Sequence, residues 1–172
     1  MQRVLVIGIS GAGKSTLSRA LADRTGLPLI HLDREFWKPG WIETPRAQWR
    51  EKVQALAARE AWVMDGNFNS TLDLRLPRAD MLLWFDASAP RCVWRALKRV
   101  ARTYGRVRPD MGEGCPERLD LDFLHYIATF NRKRRPRIAA QIAEHGAHLA
   151  PVMIRHDRDA QAFLDRLKPT LH

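Results

Sequence analysis

Residues 8–15 read Gly-Ile-Ser-Gly-Ala-Gly-Lys-Ser, a full match to the phosphate-binding pattern G-x-x-x-x-G-K-[ST]. The run before them, Arg3-Val4-Leu5-Val6-Ile7, is short and apolar, as a buried parallel strand requires. The residues after them place Leu17, Leu21 and Ala22 on one helical face. Strand, glycine loop, helix is the context in which this motif works. Glycines at 8, 11 and 13 let backbone N–H groups turn inward around a phosphate, and the helix N-terminus adds partial positive charge. Lys14 reaches toward β- and γ-phosphates, and the Ser15 hydroxyl suits a Mg²⁺. The candidate nucleotide-binding set is therefore Gly8, Ser10, Gly11, Ala12, Gly13, Lys14, Ser15 and Thr16.

Outward from this loop, apolar runs alternate with helical patterns. Strands are expected at about 3–7, Leu29–Leu32, Trp62–Met64, Met81–Phe85 and Val152–Ile154. Between them the first helix runs from Lys14 to about Arg24 and stops at Gly26-Leu27-Pro28. Thr44-Pro45 opens a second helix as N-cap and first helical residue, with Trp49, Val53 and Leu56 inward. Pro90 opens a basic helix with Val93, Leu97 and Val100 inward. Gly105 to Pro116 carries three glycines and two prolines and reads as a mobile loop. A helix from about Asp120 carries Phe123, Leu124, Ile127 and Phe130, and Pro136 kinks or restarts it. The last helix is expected from about Asp159. The pattern is that of an α/β P-loop NTPase, a three-layer sandwich around a five-stranded parallel sheet. The chain reads as one domain, residues 1–172. An acceptor-side insertion covers 33–61, and a helical, Arg-rich lid region covers 93–145. Both insertions leave the carboxyl edge of the sheet, where ligands bind in such folds.

The 172 residues fall within the usual size of one domain, and 45% are hydrophobic, enough for a core. No stretch approaches the ~20 apolar residues of a membrane span, so no membrane partner is expected. Met-Gln-Arg leads straight into the first strand, so no signal peptide is expected. Cys92 and Cys115 are too few for a disulfide framework or zinc site. A cytoplasmic monomer is the expectation. His31, His125, His145, His148, His156 and His172 show no metal-ligand spacing. No Asn-Lys-x-Asp guanine reader, GxSxG or HExxH occurs.

Net charge is +10. Arg95, Lys98, Arg99, Arg102, Arg106 and Arg108 lie between Trp94 and Pro109 with no acid among them, and Arg132–Arg137 form a second cluster. Such runs are either solvated helix faces or contacts for a polyanion, whether nucleotide phosphates or nucleic acid. Next to a glycine loop, Arg95, Arg99, Arg102 and Arg106 read as lid arginines that neutralise a transferring phosphoryl group on closure.

Three further features carry chemistry. Asp65-Gly66 follows an apolar strand, and Asp65 is either a Mg²⁺ partner beside Ser15 or a turn residue. Asp33 ends His31-Leu32-Asp33 and is either an acceptor-side base or a helix cap. Phe36, Trp37 and Trp41 crowd into Phe-Trp-Lys-Pro-Gly-Trp, which is either an acceptor pocket or the core of the insertion. Trp49, Trp62, Trp84 and Trp94 fall in apolar patterns and read as core.

The order P-loop, Asp33, Asp65-Gly66, Arg-rich lid resembles adenylate kinase and other small P-loop kinases. The segments His-Leu-Asp33, Phe-Trp-Lys-Pro-Gly-Trp, Trp-Val-Met-Asp65-Gly66-Asn67-Phe, Arg78-Ala79-Asp80 and Asp110-Met111-Gly112-Glu113-Gly114-Cys115 are similar to the bacterial DNA topology modulation proteins, an adenylate-kinase-like group. The resemblance covers about residues 1–130 well and the remainder more loosely. It implies ATP and Mg²⁺, a phosphoryl acceptor near Asp33, Trp37 and Trp41, and a closing lid. Adenylate kinases follow the Asp-Gly with an aromatic, Pro and Arg that help bind the acceptor nucleotide. Here the run is Asp65-Gly66-Asn67-Phe68-Asn69, so AMP is not implied, and Arg75 or Arg78 is the candidate replacement. The expected activity is a kinase acting on a nucleotide, nucleoside or other small acceptor. Its rivals are a nucleotide-dependent, non-enzymatic nucleic-acid binder and an ATPase serving a protein partner. Weak nucleic-acid binding is expected from net charge in every case.

Overall fold

The computed structural model describes residues 1–167; His172 lies outside them. In chain order the elements are β1 (Arg3–Gly8), α1 (Lys14–Thr25), β2 (Leu29–His31), α2 (Leu32–Phe36), β3 (Trp37–Lys38), β4 (Ile42–Glu43), α3 (Arg46–Ala57), β5 (Trp62–Asp65), α4 (Leu72–Arg75), β6 (Met81–Phe85), α5 (Ala89–Thr103), α6 (Leu121–Lys133), α7 (Arg135–His145), β7 (Val152–Ile154) and α8 (Asp157–Arg166). Five strands form one parallel sheet in the order β2-β5-β1-β6-β7. β1 lies at the centre, with Val6 opposite Asp65 of β5 and Gly8 opposite Phe85 of β6. Residues 4–7 of β1 and all of β5 are buried, because helices cover both faces of the sheet. α1 packs with α8, while α3, α4, α7, α6 and α5 form a second contiguous helical layer. No helix among the described residues is long and apolar enough to cross a membrane.

The strands stand where the apolar runs put them. α1 ends at Gly26, whose left-handed conformation directs its N–H to the Ala22 carbonyl. α3 buries Trp49, Val53 and Leu56 as its periodicity requires. Its N-cap, though, is Pro45, and the Thr44 hydroxyl donates instead to the Phe36 carbonyl at 2.5 Å. Pro136 restarts a helix as α7. α8 begins two residues earlier than its pattern suggests, because His156 and Asp159 complete a reciprocal cap.

α5 departs most from its periodicity. Ala89, Cys92 and Ala96 face the core, while Leu97 is exposed and Trp94 is 65% exposed. Small side chains win the buried face because α5 lies against the P-loop backbone. A Cβ on Gly11, whose φ is +84°, would stand 2.6 Å from the Cys92 carbonyl oxygen. A bulky residue on that face would hold the helix off the loop. Trp94 is therefore a surface residue and not core, whereas Trp49, Trp62 and Trp84 are buried.

The two insertions meet over the sheet edge. β3 and β4 form a short antiparallel hairpin. It docks on the glycine-rich loop after α5. The Gly40 N–H donates to the Gly114 carbonyl at 2.9 Å, and the Trp41 indole N–H to the Pro116 carbonyl at 3.2 Å. The Cys115 thiol contributes a bond to the Lys38 carbonyl at 3.2 Å. The loop carries its own pairings, Tyr104 with Glu117 and Val107 with Pro116.

Candidate active site

The P-loop joins β1 to α1 with Gly13 as the N-cap of α1. Asn67, after β5, fastens its start: the Gly8 N–H donates to Asn67 Oδ1 at 2.9 Å, and Asn67 Nδ2 donates to the Tyr126 hydroxyl of α6 at 3.3 Å. The Lys14 ammonium donates to the Ile9 carbonyl at 3.1 Å, curled back over its own loop. Burial lowers its pKa, against the attraction of Asp65 and Asp33.

Two carboxylates, Asp65 and Asp33, act on that ammonium, and a third, Asp110, lies beside Ser15. Asp65 ends β5, is 5% exposed and pairs with His31 Nδ1 at 3.1 Å. Asp33 stands in the first turn of α2, two residues past the strand end. Burial and the nearby Asp65 push its pKa up to about 6, with Lys14 and Arg108 pulling the other way. Burial draws both Lys14 and Asp33 toward their neutral forms, so desolvation outweighs their mutual attraction. Asp110 reaches in from the glycine-rich loop. Burial alone would raise its carboxyl, but Arg108, its own backbone N–H, His31 and the Ser15 hydroxyl together hold it below the usual range.

Arginines divide into those that face this centre and those that do not. Glu117, 7% exposed, receives Arg99 Nε at 3.0 Å and Arg108 Nε at 2.9 Å. Arg108 also reaches Asp110 at 3.2 Å. Burial and the charge of Arg108 lower the pKa of Arg99. Arg95 pairs with Asp157 at 2.8 Å and lies near Gly13, while Arg102 and Arg106 are exposed. The acid-free run of the sequence thus finds its counter-charges in the fold, from Glu117, Asp110 and Asp157. Arg108, Glu117, Asp110, His31, Asn67 and Tyr126 join the site here; Arg108 stood in the basic run and His31, Asn67 and Asp110 in the family-like segments without a role of their own, and nothing in the sequence marked Glu117 or Tyr126.

Arg75 corrects its sequence-based role. It is fully buried, and its guanidinium donates to the carbonyls of Gly66, Asn67, Phe68 and Thr71. Burial pulls its pKa down to about 9, so it stays charged at neutral pH. Arg75 braces the loop after Asp65 with four of its five N–H donors and, fully buried, presents no face to an acceptor. That loop needs the brace because Phe68 adopts a left-handed φ of 34°. Phe68 then packs on Phe36 and Trp49, both with ring centroids 4.8 Å away. Trp37 and Trp41 meet edge to face at 5.4 Å, and the Arg118 guanidinium lies 5.1 Å over Trp41. Phe36 and Trp49 therefore form the insertion's own core, and Trp41 spends its donor on the loop seam.

The residues suit a nucleotide with Mg²⁺. A buried lysine with one backbone acceptor, at a helix N-terminus bent by Gly11 and Gly13, has donors to spare for phosphate. No group of three or more His, Cys, Asp or Glu side chains among the described residues forms a metal cage. Magnesium sites commonly combine one or two protein oxygens with substrate phosphates, which Ser15 and Asp65 are able to supply.

No protein-family model matches the chain, and no curated protein does. Solved structures do. Shikimate kinase from Acinetobacter baumannii in complex with shikimate aligns at TM-score 0.59 and 18% identity, covering 98% of this chain and 96% of that one. A gluconokinase from Sinorhizobium meliloti 1021 aligns at TM-score 0.53 and 21% identity, over 96% and 92%. Shikimate kinase from Bacteroides thetaiotaomicron aligns at TM-score 0.52 and 17% identity, over 96% and 95%. The chain has the fold of small P-loop kinases. At these identities the likeness speaks for the fold and not for the substrate.

Proposed function

We propose that this protein is a kinase that transfers the γ-phosphoryl group of ATP to a hydroxyl of a small acceptor. One observation carries the reading: a carboxyl with a pKa of about 6, Asp33, lies in the field of the P-loop lysine at the sheet edge. That value suits a general base at neutral pH. Asp33 takes the acceptor hydroxyl proton as the acceptor oxygen bonds the γ-phosphorus and the bond to the β–γ bridging oxygen breaks, leaving ADP. The backbone of Ser10, Gly11, Ala12 and Gly13, with Lys14 and Thr16, holds the phosphates, while Gly8, its N–H taken by Asn67, sets the start of the loop. Ser15 and Asp65 would hold the magnesium, which would neutralise phosphate charge. His31 fixes the Asp65 carboxylate. Trp37 lines the acceptor side with Trp41 behind it. Lid arginines supply positive charge, and catalysis is otherwise positioning. Cytoplasmic residence as a monomer belongs to the same proposal. The test is a panel of nucleosides, nucleotides and hydroxylated metabolites scored for ATP consumption. Wild type is expected to turn over at least one. Lys14→Ala, which deletes a charge-assisted contact worth roughly 1.5–3 kcal/mol, is expected to weaken ATP binding roughly ten- to hundredfold by calorimetry. Equal affinity and turnover in the two forms would refute the assignment.

A second reading has its own support. A cavity of about 370 Å³ on α5 is lined by Trp94, Arg95, Lys98, Arg99, Arg102 and Thr103. An aromatic ring among cations suits a nucleic-acid strand. The resemblance to DNA topology modulation proteins belongs with this alternative.

A further inference from the structure

We propose that Glu117 is the positioning residue of the lid, holding Arg99 and Arg108 where they contact the γ-phosphate of bound ATP. The inference rests on the kinase reading. Two guanidiniums in a half-buried space repel each other, and each lowers the other's tolerance for burial. One buried carboxylate between them removes that conflict: Glu117 takes the Nε of both, at 3.0 and 2.9 Å. The charges so placed point at the two sides of the chemistry. Arg99 is felt by Lys14, on the phosphate side, and Arg108 by Asp33, on the acceptor side.

The backbone keeps Glu117 itself in place. Its N–H donates to the Arg106 carbonyl and its carbonyl accepts from the Gly105 N–H, both at 2.9 Å. Its two neighbours are tied to the acceptor-side hairpin, Pro116 through the Trp41 indole and Arg118 through the Trp41 ring. A surface ion pair would have none of these restraints. Arg95, Arg102 and Arg106 lack them: Arg95 answers to Asp157, and the other two face solvent. Of the arginines between 95 and 108, Arg99 and Arg108 are thus the pair built into the site.

The test compares MgATP and MgADP binding by calorimetry in wild type, Glu117→Gln and Glu117→Asp. Wild type is expected to prefer MgATP. Glu117→Gln is expected to lose roughly tenfold in MgATP affinity, as loss of ordered charge-assisted contacts implies, while MgADP affinity stays within about twofold. Glu117→Asp keeps the charge and is expected to restore part of the preference. If Glu117→Gln does not fold, the Glu117→Asp ratio decides. An unchanged ATP-to-ADP ratio in the folded variants, an equal loss for both nucleotides, or a wild type without ATP preference overturns the proposal. A wild type that binds neither nucleotide overturns the kinase reading beneath it.

Discussion

Burial acts on single residues here in two opposite ways. At Arg75 it ties up a charge: four carbonyls take four of the five guanidinium donors, and a residue that looked available becomes a buried brace. At Asp33 it raises the pKa to about 6 from 3.8, as the proposed general base requires. The same shift makes a stability prediction. Asp33 holds its proton more tightly folded than unfolded. Below about pH 4 both states keep the proton, and the fold bears no penalty. Between pH 4 and 6 the unfolded chain releases it first, and stability falls. Above 6 the loss is complete, at most roughly 3 kcal/mol. Asp33→Asn removes the ionisation. Denaturant titration should therefore find the variant more stable than wild type at pH 7 and equal to it at pH 4. Phosphoryl transfer should be lost in the variant, and in wild type should fall as pH drops through 6. A variant no more stable at pH 7 would mean that Asp33 is not desolvated.

Among the elements, the seam between the β3–β4 hairpin and the glycine-rich loop fixes where that loop sits. Gly112 allows it. A Cβ there would stand 2.2 Å from the Trp37 carbonyl oxygen, a backbone atom that has no rotamer with which to retreat. Gly112→Ala should push the loop off the hairpin and leave the sheet intact. Hydrogen exchange is the measurement. Amides of residues 37–43 and 112–117 should exchange faster in the variant, with the β1 and β5 amides unchanged. In wild type the loop should slow further when ATP binds. Uniform acceleration across the chain would instead mean that Gly112 supports the whole fold. The seam also explains why Asp110, far from the P-loop in sequence, reaches Ser15, and why Glu117 meets Arg99 and Arg108. The hairpin holds the loop over the sheet edge, and the loop carries both acids inward.

For the whole molecule, the net charge of +10 is an excess of cations that is unevenly placed, because many arginines around the site are paired with acids. Arg91 and Arg95 share Asp157, Arg99 and Arg108 share Glu117, Arg135 pairs with Asp86, and Arg50 pairs with Asp73. Lys98, Arg102 and Arg106 remain exposed on the α5 side. Duplex and single-stranded DNA should therefore bind weakly, with affinity falling steeply as salt rises. Fluorescence anisotropy at physiological salt, with and without ATP, is the check. Tight, ATP-dependent DNA binding with no acceptor phosphorylated would replace the kinase reading with the nucleic-acid one.

Much of this was legible in the chain itself, for local reasons. An apolar run, three glycines and Lys14-Ser15 specify a strand, a loop and a helix start within fifteen residues, and each later strand announces itself by its own apolar run. The parallel sheet and the place of Asp33 and Asp65 at its edge follow from that alternation. The helix faces and the partners of charges were not local. Cys92, and not Leu97, faces inward on α5 because the P-loop backbone needs close approach. Arg75 turns inward because the loop after Asp65 leaves carbonyls without donors. Glu117 selects Arg99 and Arg108 from a row of similar arginines because pairing acts through space, across the fold that brings residues 99, 108 and 117 together.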